Sequence, residues 1–120
     1  MTDSRLLGTW RSDAKRTRND IAARRDIPAS RRKKLADLFG KLELRYTRSK
    51  CYAHMGTYTS VNRYTVLAKD TSSVALLTDE PIAGAQIHHI HFEDQYYWIY
   101  LGSGRIREFF KRVIPKKRQK

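Results

Sequence analysis

Three of this chain's four histidines fall in one short stretch, Gln86-Ile87-His88-His89-Ile90-His91-Phe92, and the fourth is His54. On an extended backbone His89 and His91 project from the same face, as two metal ligands on one strand would. His54, on an earlier extended segment, is the candidate third member. No acidic residue stands at a convincing ligand spacing, so no metal and no cofactor are expected. His54, His89 and His91 are read instead as polar contacts for a bound molecule, with His88 also placed to orient a polar head. Tyr46 and Trp98 join them as ligand-contacting aromatics.

The single cysteine, Cys51, shares a strand face with Ala53 and Met55, the company of a small packed side chain. It has no nearby cation and no catalytic histidine–acid order to make it a reactive thiolate. The chain contains no glycine-rich phosphate loop, paired-cysteine motif or nucleophile elbow. The expectation is a binding protein and not an enzyme.

Charge supplies the rival signal. The formal net charge of +13 is concentrated in two segments. Residues 11–38 hold ten Lys/Arg against four Asp, and residues 105–120 hold eight against one Glu, while the rest of the chain balances. Localised charge attracts anionic partners in a way that diffuse charge does not. Arg31, Arg32, Lys33 and Lys34, together with Lys116, Lys117 and Arg118, are therefore candidates to grip the phosphates of a nucleic acid or another anionic partner. The alternative for both clusters is a solvated helix face and a frayed tail.

These residues need elements to position them. A chain of 120 residues is expected to form one domain with a real core, here 1–114, followed by a basic tail at 115–120. One cysteine cannot make an internal bridge, the first residues lack the pattern of a secretory signal, and no apolar run is long enough to span a membrane. A cytoplasmic location is the expectation.

Leu6 to Arg11 reads as a first strand. Ser12 or Asp13 is placed to cap a helix over about 13–25, which Asp26-Ile27-Pro28 ends. A second helix over about 29–39 carries Leu35, Leu38 and Phe39 on one side, with Gly40 at its left-handed C-terminal cap. From Lys41 the periodicity becomes two. Strands follow at 41–47, Lys50–Met55, Tyr58–Ala68, Ser72–Leu77, Gln86–Phe92, Gln95–Leu101 and Arg105–Val113, with a longer loop through Asp79-Glu80-Pro81 to Gly84. The strand Tyr96-Tyr97-Trp98-Ile99-Tyr100 has aromatics on both faces. One set faces the core, and the other packs under the helices, enters a partner subunit in a homodimer, or pairs across strands on the outer surface.

About eight short antiparallel strands in sequence order close into an up-and-down barrel, with two short helices inserted after the first strand as a cap over about 12–40. Gly8-Thr9-Trp10 on the opening strand resembles the Gly-x-Trp signature of the lipocalin and fatty-acid-binding-protein (calycin) superfamily. The inserted helices look like the helix-turn-helix lid of the fatty-acid-binding branch. The strand 105–113 is similar to the family's terminal strand, where an arginine packs across the tryptophan, and Arg107 is the candidate for that partner of Trp10. The resemblance implies a barrel that holds a small apolar or amphipathic ligand. The alternative is an interaction module that binds nucleic acid or an anionic partner through its basic helices and tail.

Overall fold

Alternation of side chains, apolar with polar at Leu42–Thr47, puts one set on one face of each strand, and the strands curl until that face is enclosed. The computed structural model describes residues 2–101 and 106–114. In chain order the elements are β1 (Gly8–Ser12), α1 (Ala14–Ala22), α2 (Ala29–Ala36), β2 (Glu43–Tyr46), β3 (Lys50–Met55), β4 (Tyr58–Lys69), β5 (Ser73–Glu80), β6 (Gly84–Glu93), β7 (Tyr96–Leu101) and β8 (Ile106–Val113). The eight strands form a closed barrel in sequence order, every neighbouring pair antiparallel. β1 closes the ring by pairing with β8 in the register Trp10↔Arg112. This is the expected mainly-β, up-and-down architecture, with both helices inserted between the first two strands.

Some boundaries differ from expectation. The stretch Asp79-Glu80 is strand and not loop, because β5 runs on to pair Asp79 with Ala85 and Glu80 with Gly84 in a tight hairpin. Cross-strand pairing outweighs the weak strand propensity of acidic residues. The first helix ends at Ala22 and the second at Ala36, each short of the expected end. Asp13, not Ser12, caps α1 by accepting from the Arg16 amide at 2.9 Å. Ser12 turns inward instead. Gly40 does adopt a left-handed backbone (φ 95°), but it lies beyond the end of α2 and serves close approach: a Cβ there would stand 2.5 Å from that of Ala14.

The N-terminal segment seals one end of the barrel. Leu6 is fully buried, and Trp10 beside it is 1% exposed. The indole Nε1–H donates to the Leu6 carbonyl at 2.9 Å. The Arg112 guanidinium lies 4.3 Å from the Trp10 ring centroid, donates to the Leu7 carbonyl at 2.8 Å and also reaches the Arg5 carbonyl. Arg5 in turn pairs with the buried Asp3, and this hydrogen bond holds the Asp3 carboxyl below its ordinary value. The cation on Trp10 is therefore Arg112 and not Arg107. The alternation along β8 explains the correction, since Glu108, Phe110 and Arg112 face inward while Arg107 faces out. Arg107 pairs instead with Asp20 of α1 and lies 5.0 Å from the Trp98 ring centroid. Gly8 is required for the seal, because at φ 115° a Cβ would stand 3.1 Å from Arg112 Nη1.

α1 packs outside the ring where β8 extends past β1. Thr17 and Ile21 are buried there, and the Thr17 hydroxyl accepts from the Phe109 amide at 3.0 Å, satisfying an otherwise open strand edge. α2 buries none of its residues. It is held by Arg32, which donates to the carbonyls of Ala22 and Arg24 at the end of α1. Among the described residues no helix is long and apolar enough to cross a membrane.

The seal predicts a graded response. Trp10→Ala should lower the unfolding free energy in urea by about 3–5 kcal/mol, the usual cost of deleting a buried aromatic. Arg112→Lys keeps the charge but loses the forked donors, and should cost about 1–3 kcal/mol. Arg107→Lys, on the outer face, should cost less than either.

Candidate functional site

Within the ring lies a cavity of about 380 Å³. Its floor rests on the aromatic layer above the seal: Tyr97 sits 4.7 Å from Trp10 and stacks on Phe110 at 4.8 Å, and Tyr46 meets Tyr64 edge-on at 5.7 Å. Leu44, Leu76, Ile90 and Ile99 form apolar walls, and Met55, Tyr58 and Leu101 reach the open rim. The rim is wet, since Met55 and Tyr58 are 43% and 57% exposed.

Polar groups enter this space at three levels. At the floor the Tyr46 and Tyr97 hydroxyls are 3.1 Å apart, and burial pushes both well above the ordinary phenol value. Each is a neutral hydroxyl at physiological pH. Beside them Cys51 interacts with Tyr46, and burial raises its thiol to about 11, so it stays protonated and is a poor nucleophile. On the side wall Glu108 is nearly buried, and desolvation raises its carboxyl. It accepts from the Ser12 hydroxyl at 2.7 Å, which itself accepts from the Gly40 amide at 3.0 Å. Also on the wall is Asn62, whose amide oxygen is buried without a partner. At the rim His88 Nε2 stands 3.7 Å from Glu80 Oε1.

Of the ligand contacts expected from sequence, the structure places Tyr46 in the cavity and His88 at its rim, with His54, His89, His91 and Trp98 outside it. His89, His91 and Trp98 lie on the opposite face of β6 and β7 from Ile90 and Tyr97, because side chains one residue apart point to opposite sides of the wall. There His91 stacks on Trp98 at 4.0 Å, Tyr100 meets Trp98 at 5.1 Å, and His89 reaches the Ser73 hydroxyl at 3.2 Å. Burial and the neighbouring His89 lower the His91 value. His54 is exposed on the outer face of β3, away from β6 in the ring, and does not converge with His89 and His91. Among the described residues no group of three His, Cys, Asp or Glu is placed to hold a metal ion. The sequence reading missed Glu108, Asn62 and Glu80 as cavity residues. The signal for Glu108 was a lone acid in a basic, aromatic strand. For Asn62 it was an amide at the inward parity of β4.

The helices do not act as a lid over this space, since no residue of α1 or α2 lines it. Between them lies a separate cleft of about 570 Å³, lined by Lys15, Arg18 and Asn19 of α1 and by Arg32 and Lys33 of α2. Of the four expected cations, Arg31 and Lys34 point elsewhere, and Lys15 and Arg18 take their place. Lys116, Lys117 and Arg118 lie outside the described residues.

No protein-family model, curated protein or solved structure matches this chain.

Glu108 carries a pH prediction. A carboxyl raised above its ordinary 4.5 in the native state binds a proton that the unfolded chain has already released. Its contribution is therefore fully present below that value and is lost as pH rises through the folded-state value. Glu108→Gln keeps an acceptor for Ser12 and should flatten this fall in stability, measured as urea midpoints across about pH 4 to 8. An unchanged slope would assign the fall to other groups.

Proposed function

We propose that this chain is a calycin-type barrel that binds one small, largely apolar molecule within its ring and does not transform it. The observation that carries the reading is the cavity: about 380 Å³, apolar at its walls, with a few fixed polar groups. Sites of this size and make-up take small organic ligands, with affinity from burial and orientation from the polar groups. The calycin relation is supported by the Gly8-Thr9-Trp10 signature at the sealed end, and by a cation from the last strand stacked on that tryptophan. The protonated Cys51 and the hydrogen-bonded tyrosine pair favour binding over catalysis.

The test is titration with the neutral fluorophore 1-aminoanthracene, whose emission rises and shifts to the blue in an apolar site. Saturable binding with one site per chain is expected. Ala53→Trp, which projects bulk into the cavity from β3, should weaken it at least about tenfold, equivalent to about 1.4 kcal/mol, while leaving thermal unfolding cooperative. Equal binding by that variant would place the probe elsewhere and overturn the reading.

A second reading rests on the cleft between the helices, where four cations from two elements face one space. In that reading the cleft holds a phosphate-rich partner, and a single-stranded oligonucleotide is the probe. Its binding constant should fall with salt by about 0.7 log units per log unit for each phosphate contact. Replacing Lys15, Arg18 and Lys33 with Gln should flatten that dependence. An unchanged slope would reduce these cations to a solvated surface.

A further inference from the structure

The cavity lining holds two carboxyls and an unpartnered amide oxygen, while its one histidine, His88, already faces Glu80 at 3.7 Å. Glu108 presents a carboxyl on the wall, its Oε2 accepting from the Ser12 hydroxyl. Glu80 places a second carboxyl at the rim. Asn62 contributes an amide whose oxygen has no partner. An unpaired buried carbonyl oxygen is costly, and turning this amide about its last side-chain bond would present the oxygen to a donor in the cavity. Among the described residues no lysine or arginine lines the space, although the chain as a whole carries 25 of them. The two acids of the lining thus contrast with the cation-rich chain around them.

That contrast decides what head group the cavity can hold. A carboxylate ligand would lose its hydration and meet no lysine or arginine, and the one histidine of the lining already faces Glu80. The Tyr46–Tyr97 pair has a single O–H left after its mutual bond, and the charge of Glu108 already bears on Tyr97. Like charges in a poorly solvated space repel strongly. An ammonium meets the reverse situation. It carries up to three N–H donors and no acceptor, so it can donate to Glu108, to Glu80 or to the turned Asn62 amide. Glu108 can accept from it whether ionised or neutral, since a protonated carboxyl retains acceptor capacity.

Building on the ligand-binding reading above, we propose that the cavity selects an apolar amine, its hydrocarbon body against Leu76 and Ile90 and its ammonium bonded to Glu108, with Asn62 and Glu80 as further acceptors. The barrel then discriminates against fatty-acid-like carboxylates of the same size.

The experiment displaces bound 1-aminoanthracene at neutral pH with a matched series: decylamine, decan-1-ol and decanoate. Decylamine should displace at concentrations at least about tenfold below decanoate, with decan-1-ol between them. Glu108→Gln and, separately, Glu80→Gln should narrow the gap between decylamine and decan-1-ol by weakening decylamine more than decan-1-ol. Glu80 sits at the rim, so its variant keeps the test sound should the Glu108 variant fold poorly. If the probe binds and decanoate equals or exceeds decylamine, the amine inference is overturned and the ligand-binding reading stands. The amine inference is also overturned if decylamine keeps its full preference in both variants. If neither the probe nor any of the three compounds binds, the ligand-binding reading falls and this inference with it.

Discussion

The stacking of Arg112 on Trp10 is the interaction on which the barrel depends. It joins the last strand to the first at the point where the ring closes, in the register Trp10↔Arg112. A guanidinium over an indole contributes about 0.5–2 kcal/mol by itself, more as water is excluded. Its larger effect is geometric. The same guanidinium bonds the carbonyls of Leu7 and Arg5, drawing the N-terminal segment across the end of the barrel. Leu6 then fills that end, and the indole N–H satisfies the Leu6 carbonyl. Closing one end this way leaves the aromatic layer of Tyr97, Tyr46 and Phe110 as a floor, with the remaining volume reaching the exposed Met55 and Tyr58 at the opposite rim.

The second constraint is that a barrel wall is one residue thick. Each strand presents alternate side chains to two environments, and a shift of one position exchanges them. Ile90 and Tyr97 therefore enclose the cavity, while His89, His91 and Trp98 build a separate aromatic surface outside. That outer surface is stabilised by its own stacking, with His91 nearly parallel to Trp98 at 11°. The two faces of β6 and β7 are chemically independent, although their residues are interleaved in the chain.

Electrostatics separates the molecule in the same way. Cations gather on the helices and on the outer face of the barrel, where water and counterions solvate them. Of the two acids that enter the cavity, Glu108 is held by the fold at a cost. Glu108 is raised by desolvation, and the Ser12 hydroxyl only partly offsets this. Ser12 is available because Asp13 takes the capping role at α1, and the Gly40 amide reaches it from a position where a Cβ would collide with Ala14. One polar chain thus ties the helix insertion to the wall of the cavity.

The period-two pattern from Leu42 onward, the turn residues between strands and the Gly8-Thr9-Trp10 tripeptide on the opening strand were enough to specify a closed antiparallel barrel of about eight strands with two helices after the first. These are local signals, set by period and by backbone preference, and they need no partner to be read. The exceptions were boundaries, as at Asp79-Glu80, where pairing across the hairpin extends a strand beyond its own propensity. Inward parity could be read for Leu44 and Tyr46 because their strand alternates apolar with polar. It could not be read for Gln86–Phe92 or Tyr96–Leu101, where both faces carry polar or aromatic side chains and either is acceptable inside. Which arginine meets Trp10 likewise depends on the register of a pair of strands some hundred residues apart in the chain. Ring closure decides that register, and with it the single-residue offsets that put Glu108 and Asn62 inside and the three histidines His54, His89 and His91 outside.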